Sequence, residues 1–156
     1  MKTFKDFIAE CTKSIEEILP WDLQALLEQN KALFLFDIRE PYEFETLHIK
    51  GSLNVPRGIL ECACEYDYED TVPELAAARD EEIILICRSG NRSALAAYTL
   101  QLMGFKSVKS LKLGLKGWND YELPLQNIQG DLMDTDDADA ILYAPLRAEQ
   151  KKPKND

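Results

Sequence analysis

The chain has 156 residues, 46% of them hydrophobic and 29% charged, which suits one globular domain able to bury a substantial core. Its 28 acidic residues outnumber 18 basic ones, for a formal net charge of -10. That balance leaves no phosphate-neutralising surplus for nucleic acid and no attraction to an anionic membrane surface, and no apolar run approaches the roughly 20 residues that span a bilayer.

Thr3 with Asp6 has the form of a capping box, and Phe4, Phe7, Ile8, Cys11 and Ile15 keep helical spacing, so a first helix is predicted there. A short strand is expected near Ile18 and Leu19. Pro20 at a first helical position, followed by Leu23, Leu26 and Leu27, predicts a second helix ending before Asn30. Leu33-Phe34-Leu35-Phe36 is a continuous apolar run, as in a strand buried on both faces. Further on, a short strand is expected at Asn54-Val55, a helix over 73–79, a central strand over 83–86, a helix over 93–103 and a strand over 108–111. Strands alternating with helices predict right-handed crossovers and an α/β fold with a parallel sheet. Ligands in such sheets bind beyond the carboxyl ends of the strands. Asp37 and Cys87 both fall at those ends.

The N-terminal segment lacks the apolar core and small-residue cleavage site of a secretory signal. The four cysteines, Cys11, Cys62, Cys64 and Cys87, are not spaced as a disulfide framework, so a reducing, cytoplasmic setting is expected. After Leu125 the character changes. Asp131, Asp134, Asp136, Asp137 and Asp139 crowd together, and a solvated acidic extension is expected, open to a protein partner. The apolar Ile141 to Tyr143 offer the alternative of docking on the domain or on a second subunit. A calcium loop starting at Asp134 fails, because Asp139 stands where glycine is needed and Pro145 where glutamate is needed.

The chemistry concentrates in Cys87-Arg88-Ser89-Gly90-Asn91-Arg92-Ser93. A β-branched apolar run precedes this segment and a strong helix former follows it. The cysteine therefore ends a buried strand, and the loop after it feeds a helix N-terminus. Helix N–H groups, the macrodipole and nearby arginines favour a thiolate, the form that acts as nucleophile. Gly90 permits a turn in which successive N–H groups converge on one anion, and Arg88 and Arg92 offer bidentate donors. Asp37 is read as a positional residue that pairs with Arg39 or Arg92, or bonds loop backbone.

These residues resemble those of a single-domain rhodanese, a sulfurtransferase family. The segment from Cys87 to Arg92 is similar to the family's six-residue loop, Cys-Arg-x-Gly-x-Arg. Phe36-Asp37-Ile38-Arg39-Glu40-Pro41-Tyr42-Glu43-Phe44 and His48-Ile49-Lys50-Gly51-Ser52-Leu53-Asn54-Val55-Pro56 resemble two further family segments. Leu113-Gly114-Leu115-Lys116-Gly117-Trp118 is close to the family's G-G-x-x-x-W, with Leu113 in place of the first glycine. The resemblance implies a rhodanese-like fold, a central, mostly parallel sheet of about five strands flanked by helices on both faces. It places that domain at residues 15–125, between an N-terminal helical extension (1–14) and the acidic extension (126–156). It implies sulfane-sulfur transfer from a small anionic donor such as thiosulfate to a thiol or cyanide, through a Cys87 persulfide. Cys87 is then catalytic, and Arg88, Ser89, Gly90, Asn91, Arg92 and Ser93 form the substrate-binding loop, with Asp37 in support. No metal or organic cofactor is implied.

Two other classes remain open from the residues. A cysteine phosphatase or arsenate reductase needs five residues between Cys and Arg, whereas Arg92 comes one position early and Ser93 holds the required place. A non-catalytic binding module would normally lack the cysteine. His48, the only histidine, is expected to brace a turn by bonding backbone, and Cys62-x-Cys64 is too short for a usual zinc knuckle but leaves a redox or resolving role open beside ordinary packing.

Overall fold

Five strands, β1 (Glu16–Ile18), β2 (Phe34–Asp37), β3 (Leu53–Asn54), β4 (Glu82–Ile86) and β5 (Ser107–Leu111), pair in parallel in the order β1-β5-β4-β2-β3. This arrangement is seen in a computed structural model that describes residues 1–29 and 32–154. Successive side chains of a strand point to opposite faces. Ile83 and Leu85 of β4 accordingly join Phe36 and Val108 in one core, while Ile84 and Ile86 join Leu35 and Leu111 in another. Both faces are covered, which is why the central strands read as unbroken apolar runs.

One face is covered by α4 (Leu60–Ala63), α5 (Pro73–Ala76) and α6 (Asn91–Leu102), through Leu60, Leu75, Ala96, Ala97 and Leu100. The other is covered by α2 (Pro20–Glu28), α7 (Gly114–Asp120) and α8 (Thr135–Leu142), through Leu23, Leu115, Trp118, Ala138 and Leu142. The N-terminal α1 (Phe4–Thr12) carries the predicted capping box and packs on α6, burying Cys11. The short α3 (Pro41–Thr46) follows β2. No helix among the described residues is long and apolar enough to cross a membrane.

Several boundaries differ from expectation. The first helix stops at Thr12, short of Ile15, and α5 stops at Ala76, short of Arg79. Asn30, the expected limit of the second helix, lies outside the described residues, and α2 is helical to Glu28. The helix after the cysteine begins at Asn91, two residues before Ser93, because Gly90 takes a left-handed conformation and starts it early. The largest correction concerns the acidic extension. It is not a solvated tail: Asp134 caps α8 by accepting from the backbone N–H of Asp136 and Asp137, and Ala138 and Leu142 are buried beneath it. Aspartates in the first turn of a helix face the positive end of its dipole, so their crowding suits this position. The docking alternative for Ile141 to Tyr143 is the one realised, with the Tyr143 hydroxyl donating to Asp120 at 2.8 Å and Lys116 over the Tyr143 ring.

Candidate active site

Neighbouring strands β2 and β4 end together, and there the chain brings Asp37 and Cys87 to the carboxyl edge of the sheet. After Cys87 the backbone folds back so that Gly90 adopts φ +90°. A side chain at Gly90 would put its Cβ 3.1 Å from the Leu111 carbonyl oxygen and the Leu113 nitrogen, so this approach of loop to β5 needs glycine. The turn points the loop's N–H groups at the sulfur. Cys87 Sγ accepts from Gly90 N at 3.1 Å and from Ser93 N at 3.3 Å. Ser93 Oγ lies 3.2 Å from the same sulfur and 2.7 Å from Ser110 Oγ of β5. Ser93 stands in the first turn of α6, so a helix N-terminus is aimed at Sγ. Cys87 as a whole is buried, only 1% exposed.

The loop is braced from below by α7. Leu115 N donates to the Cys87 carbonyl at 3.0 Å and Lys116 N to the Arg88 carbonyl at 2.9 Å. Gly114 makes this possible: at φ +57°, an added Cβ would sit 2.5 Å from the Arg88 backbone. Ahead of Gly114, Leu113 also takes a left-handed conformation, at φ 68°. Leu113 stands where the motif it resembles has glycine, and it takes a backbone conformation that favours glycine.

The two loop arginines have separate surroundings. Arg92 makes a bidentate pair with Glu43 of α3, both contacts at 2.9 Å. Burial works against the Glu43 carboxylate, but hydrogen bonds from Arg92 and the Glu40 backbone, with the charges of Arg92 and Arg39, hold its pKa below the ordinary value. The hydrogen bond to Glu43 raises the Arg92 value further, so both partners stay charged. Arg88 is exposed and makes no ion pair among the described residues. Ser89 and Asn91 are half-buried, their side chains 3.5 Å apart.

Asp37 does not reach Arg92. Its carboxylate takes Arg39 Nε at 2.9 Å and Nη2 at 2.8 Å, as well as the Arg39 backbone N–H. Arg39 is buried and passes the contact on to the Leu47 carbonyl, while Asn54 donates to the carbonyls of Asp37 and Arg39. This network fixes the loop from which α3, and hence Glu43, projects. His48 behaves as expected, with Nδ1 at 2.7 Å from the Phe44 carbonyl and its ring stacked on Phe44.

No disulfide or hydrogen bond joins Cys62 or Cys64 to Cys87 among the described residues, although Cys64 and Cys87 belong to the same core. Cys62 is exposed; Cys64 is buried against Met103, and that burial pushes its thiol pKa up, the reverse of what a resolving thiolate needs. All four cysteines are free, and no metal-holding group of acidic, His and Cys side chains occurs among the described residues. Three participants escaped the sequence reading. Glu43 lies 49 positions from Arg92, and Ser110 sits in an otherwise ordinary strand. The third is α8: its Ile141 and Leu142 form one wall of a cleft whose other walls are Arg88 and Tyr42, Glu43 and Thr46 of α3.

This geometry agrees with the relationships of the chain. The family model described as Rhodanese-like domain matches residues 19–121. The chain is 33% identical over 110 residues to the protein described as "Putative sulfur carrier protein YrkF" of Bacillus subtilis, a match covering 70% of this chain and 54% of that one. It thus spans about half the length of that relative. Other relatives are described as adenylyltransferase and sulfurtransferase proteins, of which it spans about a quarter. Among solved structures, a protein of unknown function from Rhodopseudomonas palustris, described as a "Possible Tyrosine Phosphatase", is 32% identical with a TM-score of 0.74, over 81% of this chain and 96% of that one. The human single-domain sulfurtransferase TSTD1 shares the fold at a TM-score of 0.60 and 22% identity, over 69% of this chain and 97% of that one. The cysteine loop, the five-stranded parallel sheet and the extent of the family match together make this chain a member of the rhodanese-like domain family.

Proposed function

We propose that this protein is a sulfurtransferase that carries sulfane sulfur on Cys87. The observation that carries the reading is the convergence of two backbone N–H groups and the Ser93 hydroxyl on Cys87 Sγ. Donors placed around a sulfur stabilise it as thiolate, and after reaction the same donors suit the negative sulfur of a persulfide. In the first half-reaction the thiolate attacks the outer sulfur of thiosulfate. A Cys87–sulfur bond forms, the sulfur–sulfur bond of the donor breaks, and its electron pair leaves with sulfite. In the second, cyanide or a thiolate attacks the terminal sulfur and the Cys87 thiolate returns. Two such halves give ping-pong kinetics.

Arg88 is the anion-binding residue of this scheme, since it alone of the loop arginines is uncommitted. Ser89, Gly90, Asn91 and Ser93 shape the loop, Arg92 ties it to α3 through Glu43, and Asp37 holds Arg39 in support. The descriptions of the relatives as sulfur carriers and sulfurtransferases support the same reading. Four free thiols support a reducing, cytoplasmic setting. Phosphatase chemistry is disfavoured by the engagement of Arg92 with Glu43, which takes up the fork a phosphoryl group would need.

The test is Cys87→Ser. It should abolish thiosulfate:cyanide sulfurtransfer while leaving the melting temperature within a few degrees of the parent. Retention of more than a few per cent of the activity, or hydrolysis of p-nitrophenyl phosphate that depends on Cys87, would overturn the assignment.

A further inference from the structure

We infer that Tyr143, just past α8, is a positioning residue for the cysteine loop. It clamps α7, the helix whose first N–H groups hold the carbonyls of Cys87 and Arg88. For sulfur transfer this role rests on the sulfurtransferase reading, and the clamp itself can be measured without it.

With seven residues, α7 is well below the length of about 12–15 at which a helix holds alone in water, so what packs on it sets its place. Leu115 and Trp118 anchor it inward, in the same core as Ala138 and Leu142 of α8. Lys116 and Asp120, at positions i and i+4, share one face of α7. Tyr143 meets both. Its hydroxyl donates to Asp120 Oδ2 at 2.8 Å, and Lys116 Nζ stands 4.7 Å from the centre of its ring, within cation–π range. The Asp120 hydrogen bond, with burial and the charges of Asp120 and Asp139, pushes the Tyr143 hydroxyl up to about 12, so it donates at neutral pH.

The other end of α7 meets the loop. Lys116, whose ammonium stands over Tyr143, gives its backbone N–H to the Arg88 carbonyl at 2.9 Å, and Leu115 gives its own to the Cys87 carbonyl at 3.0 Å. This contact has no slack, because a Cβ added at Gly114 would lie 2.5 Å from the Arg88 carbonyl carbon and oxygen. Further along the same loop, the N–H groups of Gly90 and Ser93 donate to Cys87 Sγ. A tilt of α7 therefore moves the peptide units that aim these donors. Tyr143 is 46% exposed and fills no core space, so its role is separable from folding. It also lies beyond the residues 19–121 that match the family model, which makes the clamp an addition to the family's part of the chain.

Amide hydrogen exchange on the full chain, followed residue by residue by NMR, tests the clamp. Tyr143→Phe keeps the ring over Lys116 and loses only the hydroxyl. Protection of Leu115, Lys116, Gly90 and Ser93 should then fall about 5-fold, the worth of one ordinary hydrogen bond. Ile84 and Leu85 of β4 should stay within about 2-fold, since a local opening leaves the core closed. Asp120→Ala should act like Tyr143→Phe, and combining the two should cost nothing more, because both remove one contact. Asp120→Asn, which keeps an accepting oxygen, should retain most of the protection. With thiosulfate and cyanide, kcat of Tyr143→Phe should fall in step with loop protection, while KM for thiosulfate, set by the Arg88 side chain, holds.

Unchanged loop protection overturns the inference. Equal losses in the loop and in β4 also overturn it, by making Tyr143 a general stabiliser. So does a loss of protection that leaves kcat unchanged, or a KM that rises at constant kcat. If the parent transfers no sulfur, the sulfurtransferase reading falls, and exchange still decides whether Tyr143 clamps the loop.

Discussion

Ser93 serves the site twice, through its backbone N–H and through a hydroxyl held by Ser110. The role of Glu43 is different: it fixes Arg92 so that α6 and α3 keep one geometry around the loop. Replacing it tests this. Glu43→Gln should cost about 1–2 kcal/mol at neutral pH, the value of a charge-assisted contact discounted for the partial exposure of Arg92. Its folded pKa lies below the ordinary 4.5, so the pair's contribution is fully present above about that pH and is lost as pH falls through the folded value. The stability gap between parent and variant, read from denaturant unfolding, should be open at pH 7 and close in acid. A gap independent of pH would show that the pair does not hold the loop. Cys87, Gly90 and Asp37 were legible in the sequence because each sits where a strand ends or a turn begins. Glu43 and Ser110 were not, since their meaning depends on neighbours brought in by the fold.

Among elements, α7 shows most plainly how backbone chemistry positions the loop. Its first N–H groups hold the carbonyls of Cys87 and Arg88, and Gly114 permits the contact. Leu113 carries the cost, as a branched side chain at φ 68° with 44% of its surface exposed. Left-handed backbone at a non-glycine residue costs on the order of 1 kcal/mol. Leu113→Gly should therefore stabilise the protein by about that amount and raise the melting temperature by about 2–4 °C. A lower melting temperature would mean that packing of Leu113 on Gly117 outweighs the strain. The central strands and α6 could be read from apolar runs and helix formers. The start of α6 at Asn91 and the existence of α8 could not. In both cases a cap decided the matter, Gly90 in one and Asp134 in the other, and the aspartates after the second cap read as repulsion along an extended chain while a helix N-terminus accommodates them.

At the scale of the molecule, the acidic segment completes the second core and does not hang free of it. Leu142→Ala should cost about 2–4 kcal/mol in denaturant unfolding, the range for a buried leucine. A solvated tail would give a change within about 0.5 kcal/mol. Removing everything after Gln126 should lower the melting temperature sharply, for the same reason. It also takes away one wall of the cleft, so turnover is expected to change with it. The sheet, the loop and the flanking helices all converge on one sulfur, and the account stands or falls on what that sulfur carries. The most direct measurement is the intact mass of the protein after incubation with thiosulfate and removal of excess donor. The account predicts a gain of about 32 Da, one sulfur atom, confined to the peptide containing Cys87 and discharged by cyanide. An unchanged mass, or a sulfur found on Cys62 while Cys87 stays bare, would contradict it.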